Sequence, residues 1–211
     1  MRTMRTKIHT VYKNSKGEKV PGVTTIIGLL DKSGPLMHWA WKLGCEGKDY
    51  KKARDKAADS GTLCHYLIEC DSLEIQLDKE YLKEFTQTDI EKAETGYLAY
   101  LEWKKTNIDK ILHAEYQGAC DKYGGTIDCI ARLKNGKTAL IDYKTGGVYD
   151  SAYYQVAAYE KLSPVSIEEK MILQINKEDG LFTLHQLGNL DKHFEVFKHL
   201  LEIYYLKKEI K

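Results

Sequence analysis

The stretch that most constrains the fold is a β-hairpin followed by a helix, between residues 115 and 159. Two apolar segments flank Asn135-Gly136, a pair that is typical of hairpin turns. In the second segment, residues 140–144, the period of two in a strand places Asp142 and Lys144 on one face. An acid and a base on one face of an otherwise apolar strand indicate a functional site rather than a core position.

The length of the turn decides where the acidic side chains lie. With a two-residue turn, Asp128 and Asp142 point to opposite faces of the hairpin. With a three-residue turn over 134–136, in which Gly136 adopts the left-handed conformation, Asp128 lies directly across from Asp142. Opposed residues have Cβ atoms about 4.5–5.5 Å apart, and two carboxylates at that distance repel unless one is protonated or a cation lies between them. We therefore predict the three-residue turn and a bound divalent cation.

Four segments of the chain follow one another in a characteristic order. They are Gly61-Thr-Leu-Cys-His65-x-x-x-Glu69, Gly125-Thr-Ile-Asp128, Asp142-Tyr-Lys144-Thr-Gly and Gln155-x-x-x-Tyr159. Asp-x-Lys alone is a weak signal, but the four segments together, in this order and spacing, are specific. They resemble the PD-(D/E)XK nuclease superfamily, in particular its RecB-type branch. Within that branch the chain is similar to phage recombination exonucleases and mitochondrial genome maintenance exonucleases.

The resemblance implies a single α/β domain that spans residues 1–211. Its restriction-endonuclease-like core would be a central mixed β-sheet of about five strands flanked by helices. Residues 1–106 would form an N-terminal hairpin and a helical wall, and residues 107–211 the catalytic sheet core and a C-terminal helix. A chain of 211 residues can bury one such core, and its 43% hydrophobic and 30% charged residues are ordinary for a soluble globular protein.

The resemblance also implies a metal site at the hairpin, with Mg²⁺ or Mn²⁺ as the cofactor, the hard cations that carboxylate oxygens suit. The expected ligands are His65, Asp128, Asp142, the backbone carbonyl of Tyr143 and, directly or through water, Glu115. Lys144 would act beside the attacking water, together with Asp128 and Asp142 as catalytic groups. Glu69, one helical turn beyond His65, would orient its imidazole. Without the resemblance, His65 is an ordinary helical residue and Glu115 is equally well an acid on an edge strand.

Further side chains are implied to contact the substrate. Gln155 and Tyr159, four residues apart on one helix face, would contact the scissile phosphate or the catalytic lysine. Thr145 follows that lysine directly. Thr24 and Thr25 lie in the first turn of a short predicted helix, where free backbone N–H groups attract anions. These two threonines are equally well explained as helix caps.

Together these expectations describe a metal-dependent DNA exonuclease. It would hydrolyse phosphodiester bonds from DNA ends, with single-stranded DNA in the active site, during DNA recombination, repair or replication. Its partners would be DNA and a single-strand annealing or recombination protein, with no membrane. Two alternatives stay open, namely a structure-specific endonuclease and a DNA-binding module with an inactive nuclease site. The net charge of +1 indicates no global attraction to polyanions, although a local basic groove needs no net excess.

The cysteines and the lack of long apolar runs limit the cellular compartment and the cofactors that we expect. Five cysteines without a Cys-x-x-Cys pair indicate reduced thiols in a cytoplasmic protein, including one encoded by a phage in a bacterial host. Some RecB-type nucleases, including many CRISPR-associated adaptation nucleases, bind an iron–sulfur cluster through three cysteines near the carboxyl end. No cysteine follows Cys129, so we expect no iron–sulfur cluster. The sequence also contains no apolar run of the roughly 18 residues that a membrane helix needs and predicts no signal peptide.

Overall fold

The computed structural model describes residues 10–30 and 33–210, apart from the side chains of 33–36, 52 and 54–58. Its elements in chain order are β1 (Tyr12–Lys13), β2 (Lys19–Val20), α1 (Val23–Ile27), α2 (Ser33–Cys45), α3 (Tyr50–Ser72), α4 (Lys79–Leu82), α5 (Gln87–Asn107), β3 (Ile108–Ala119), β4 (Gly124–Leu133), β5 (Thr138–Lys144), α6 (Asp150–Glu160), β6 (Glu169–Ile175), β7 (Phe182–Leu187) and α7 (Asp191–Glu209). The predicted N-terminal hairpin is present as β1 and β2, and residues 1–9 lie outside the described part.

The central sheet has five strands in the order β3-β4-β5-β6-β7. Strands β5 and β6 are parallel, and the other neighbours are antiparallel. Helix α6 connects the two parallel strands, as a parallel pair requires a crossover. The predicted α/β class, with a mixed sheet of five strands and N-terminal helices, is therefore confirmed. Among the described residues, no helix combines the length and the apolar character needed to cross a lipid bilayer.

The turn between β4 and β5 has the predicted three residues. Gly136 has a φ of 87°, in the left-handed region that glycine adopts without strain. Its N–H donates to the carbonyl of Leu133 at 2.9 Å, and the N–H of Leu133 donates to the carbonyl of Lys137 at 2.8 Å. The strands then pair up to Cys129 and Ile141. The next step in this register places Asp128 across from Asp142, as predicted.

The sheet buries a core on each face because its strands alternate apolar residues between the two sides. Helices α3 and α5 cover one face, where Tyr100 packs edge-on against Tyr143 of β5, with Trp103 in the same core. Helices α1, α6 and α7 cover the other, where Phe197 packs in the same core as Leu140. Asp142 follows the alternation of Leu140 and therefore points to the α6 side. This alternation brings the end of β5 under α6.

Candidate active site

A cleft of about 510 Å³ opens at the carboxyl end of β5. It lies between the N-terminal hairpin, α1, α3 and α6. The cleft is lined by nine of the residues that the sequence nominates for the site, namely Thr24, Thr25, His65, Asp128, Tyr143, Lys144, Thr145, Gln155 and Tyr159. The four sequence segments therefore converge on one cavity, although α3 and β5 are far apart in the chain.

Four polar side chains form a continuous series of contacts at the cleft. The carboxylate Oδ2 of Asp142 lies 2.5 Å from the Nζ of Lys144. Lys144 Nζ donates to Gln155 Oε1 at 3.1 Å, and Gln155 Nε2 donates to the hydroxyl of Tyr159 at 2.9 Å. Asp142 is 1% exposed and Lys144 is 25% exposed. The carboxylate therefore lies beneath the surface, and the ammonium group reaches the cleft.

Asp128 is held by the backbone of the neighbouring strand. Its Oδ2 accepts a hydrogen bond from the N–H of Tyr143 at 2.9 Å, just beyond the pair Cys129–Ile141 at the end of the β4–β5 ladder. Because this N–H lies between Asp142 and Lys144 in the chain, it fixes the Asp128 carboxylate beside both. The charge of Asp128 accordingly acts on both of these groups.

Burial and close charges shift the pKa values of the site. Burial raises the pKa of Asp142 to about 7, Lys144 opposes this shift and Asp128 adds to it. Burial alone would lower the pKa of Lys144, but the carboxylates of Asp142 and Asp128 outweigh it and raise the pKa. Burial, followed by the two carboxylates, holds the pKa of Tyr159 well above its ordinary value. At neutral pH the site thus contains a charged ammonium group and a protonated phenol.

The two carboxylates fit a hard divalent cation. Asp142 Oδ1 is buried and has no hydrogen-bond partner among residues 10–30 and 33–210. A buried carboxylate oxygen without a partner is costly unless a cation or a proton satisfies it. Within that same part of the chain no group of three or more His, Cys, Asp or Glu side chains is arranged to hold a metal ion. The expected ligands His65, Asp128 and Asp142 are therefore not gathered into one such group in the described part of the chain. Two carboxylates are still a donor set that suits Mg²⁺, which commonly binds one or two carboxylates and keeps several waters.

Three nominated acids are not among the residues that line this cleft, namely Asp142, which lies beneath Lys144, and Glu115 and Glu69. Glu115 lies opposite Asp128 by strand register, because Ala114 pairs with Cys129 and Tyr116 with Ile127. Its backbone φ of 49° departs from a regular strand. The pKa of the Cys129 thiol, on the other face of the sheet, is raised mainly by burial, and the charge of Glu115 adds a minor contribution. Glu69 is partly buried on α3, one turn beyond His65, and is also not among the residues that line the cleft.

Glycines allow the elements around the cleft to approach closely. A Cβ on Gly125 would lie 2.5 Å from Cε1 of Tyr159, and a Cβ on Gly61 would lie 2.9 Å from Oγ1 of Thr145. A side chain at either position would displace a wall of the cleft. This explains in physical terms why glycine begins two of the four sequence segments.

The N-terminal hairpin forms a wall of the cleft that was not predicted from the sequence. Thr10 and Tyr12 line the cleft. The hydroxyl of Tyr12 lies 2.9 Å from Oγ1 of Thr126, and its ring packs on Gly124. Tyr12 and Thr126 are 114 residues apart in the chain. The one available signal was the Gly124-Gly125 pair, which indicates close approach of another segment.

Comparisons with known proteins establish no family for this chain. No family model matches it. It is 30% identical over 95 residues to the protein "Uridylate kinase" of Aliivibrio fischeri (strain ATCC 700601 / ES114), a match that covers 45% of this chain and 36% of that protein. The chain thus spans about a third of the length of this curated relative. The crystal structure of SSO0001 matches 70% of this chain and 74% of that chain at 15% identity, with a TM-score of 0.35.

Proposed function

We propose that this protein is a metal-dependent deoxyribonuclease that removes nucleotides from DNA ends, with a single strand in the cleft. The observation that carries the proposal is the convergence of Asp128, Lys144, Gln155 and Tyr159 on one cavity, with Asp142 directly beneath Lys144. Carboxylates that bind a hard cation, with an ammonium group beside them, can stabilise the transition state of phosphodiester hydrolysis.

Asp128 and Asp142 would hold the cation, with the Tyr143 carbonyl and His65 as the further donors that the sequence nominates. A divalent cation supplies a water of lowered pKa and offsets negative charge on the phosphate. The backbone hydrogen bond to Asp128 and the burial of Asp142 fix the two carboxylates in place. Such fixed ligands need no reorganisation when charge develops in the transition state.

Lys144 would donate to the phosphate or to the attacking water. Its ammonium group is held between Asp142 and Gln155 and is partly exposed to the cleft. Gln155 in turn donates to Tyr159, so the phenol O–H of Tyr159 is left to donate elsewhere. The amide and the phenol are neutral, which lets them contact phosphate oxygens without competing for the cation.

The decisive test is hydrolysis of end-labelled linear and circular DNA, single- and double-stranded, with Mg²⁺, Mn²⁺ or EDTA. The variants are Lys144→Ala and Asp142→Ala. Lys170→Ala is the matched control, because Lys170 lies on the neighbouring parallel strand and pairs with Glu160 of α6 at 3.0 Å, away from the cleft lining. We expect metal-dependent loss of linear DNA alone, abolished by both site variants and retained in the control.

The other outcomes separate the alternatives. Cleavage of circular DNA would identify an endonuclease. DNA binding without cleavage in either metal would identify a binding module with an inactive site. Hydrolysis that survives both site substitutions would show that the hairpin is not the active site.

A further inference from the structure

Lys177, in the turn after β6, holds its ammonium group behind the part of the cleft wall that Thr145 forms. Its Nζ lies 3.1 Å from the hydroxyl of Ser60 on α3. A Cβ placed on Gly61 would lie 3.2 Å from the same Nζ and 2.9 Å from Oγ1 of Thr145. The ammonium of Lys177 and the hydroxyl of Thr145 therefore lie beside the same glycine, and Thr145 lines the cleft.

The side chain of Lys177 passes between α3 and α5 where these helices pack together. The Cγ of Lys177 lies 3.3 Å from where a Cβ of Gly96 would be, and the sulfur of Cys64 lies 2.9 Å from that point. The aliphatic stem thus crosses the junction of the two helices, and the ammonium group donates to the buried hydroxyl of Ser60. Burial lowers the pKa of this lysine, so the fold holds a cation here at a cost in solvation.

Lys177 and Lys144 contact different helices. Lys144 contacts Gln155 on α6, whereas Lys177 contacts α3. Thr145, beside which the Lys177 ammonium lies, directly follows Lys144 in the chain. A polynucleotide carries a row of phosphates, and cations spaced along a groove bind successive ones.

We propose that Lys177, together with the hydroxyl of Thr145, binds the phosphate next to the one that is cleaved. The ligand is a polynucleotide strand with at least two consecutive phosphodiesters, and a substrate with a single phosphodiester does not use this contact. This inference rests on the proposed nuclease function.

The test combines Lys177→Gln with oligonucleotides that carry one neutral methylphosphonate at successive positions from the cleaved end. In the wild type, one position beside the scissile phosphate should raise KM by about tenfold, the size of a lost phosphate contact. In Lys177→Gln, KM should be raised to a similar extent with the unmodified strand. The methylphosphonate at that one position should then have no further effect.

Two further measurements distinguish a direct contact between Lys177 and a phosphate from a purely structural role of this residue. The slope of log KM against log salt should fall by about 0.7 in Lys177→Gln, as expected for one contact to a single strand, with kcat unchanged. A thymidine p-nitrophenyl phosphate diester, with one phosphodiester, should be hydrolysed at the wild-type rate. Lys177→Arg should keep wild-type KM, and Lys92→Gln is the control, since Lys92 lies nearby on α5 but forms an ion pair with Glu178.

The experiment distinguishes a failure of this inference from a failure of the proposed nuclease function. If the wild type hydrolyses DNA but Lys177→Gln keeps the same methylphosphonate profile and salt slope, the inference is overturned and the nuclease function stands. A fall in kcat on both substrates would show that Lys177 acts through the fold, which also overturns it. A wild type that hydrolyses no DNA in either metal refutes the nuclease function and this inference with it.

Discussion

The substitution Gly125→Ala tests whether close approach of α6 to β4 builds the active site. The new Cβ would lie 2.5 Å from Cε1 and 3.0 Å from Cδ1 of Tyr159, and 3.2 Å from Cγ2 of Val23. Tyr159 is buried, and its hydroxyl accepts the hydrogen bond from Gln155. The ring must therefore move away from β4, and it takes its hydroxyl out of the series of contacts that leads to Lys144.

The expected magnitudes follow from overpacking and misplacement. Forcing one extra methyl group into a packed core costs about 1–3 kcal/mol, and the loss of glycine entropy in the unfolded chain offsets about 0.4–1 kcal/mol of it. A net loss near 1–2 kcal/mol lowers Tm by roughly 2–8 °C for a chain of this size. A displacement of about 1 Å in a positioning group costs up to about 100-fold in rate, so we expect kcat for DNA hydrolysis to fall by about 10–100-fold.

The assay is a thermal melt and steady-state hydrolysis of linear DNA, each with Gly188→Ala as the control. A Cβ on Gly188 meets no atom within 4 Å, so this variant should match the wild type in both measurements. If Gly125→Ala retains wild-type kcat and Tm, the packing of Tyr159 on β4 does not position the site. Equal losses in the control would show that any added methyl group impairs the protein.

Two other predictions concern the ionisable groups. Because burial and Asp128 raise the pKa of Asp142 to about 7, its proton must leave before a cation binds, and Mg²⁺ or Mn²⁺ affinity should weaken about tenfold from pH 8 to pH 6. Calorimetric titration at the two pH values measures this, and equal affinities would contradict it. Burial raises the pKa of Cys129 to about 12, so a thiol reagent at pH 8 should modify the exposed Cys45 quickly and Cys129 only after unfolding. Mass spectrometry of the modified peptides would show the opposite order if this is wrong.

The hairpin register was predictable because local chemistry determines it. Gly136 is the residue that accepts a positive φ, so its place in the turn sets which residues of β4 and β5 face each other. Once Asp128 and Asp142 oppose each other, the faces of the remaining strand residues follow from alternation. The i, i+4 spacing of Gln155 and Tyr159 likewise predicted that they share one helix face, and their side chains are hydrogen-bonded at 2.9 Å.

The surroundings of Glu115 could not be predicted from the sequence, because the strand that carries it is irregular. The pairing of β3 with β4 shifts between Ile108 and Lys110 and again between Ile111 and His113. A β-bulge inserts an unpaired residue and changes the local twist, and strand periodicity carries no trace of it. The wall contributed by Tyr12 was unpredictable because contacts over 114 residues depend on the completed fold.

The burial of Asp142 and Lys144 in one strand argues for function on energetic grounds. A buried ion pair is often no more stabilising than apolar residues of the same volume, because both charges lose their hydration. Residues Ala139–Ile141 of β5 are apolar and fully buried, so further apolar side chains would serve the core as well. The raised pKa of Asp142 and the unpartnered Oδ1 show that Lys144 does not fully compensate this carboxylate. We infer that the remaining compensation comes from the cation, and that the partly exposed Lys144 is left to act on the phosphate.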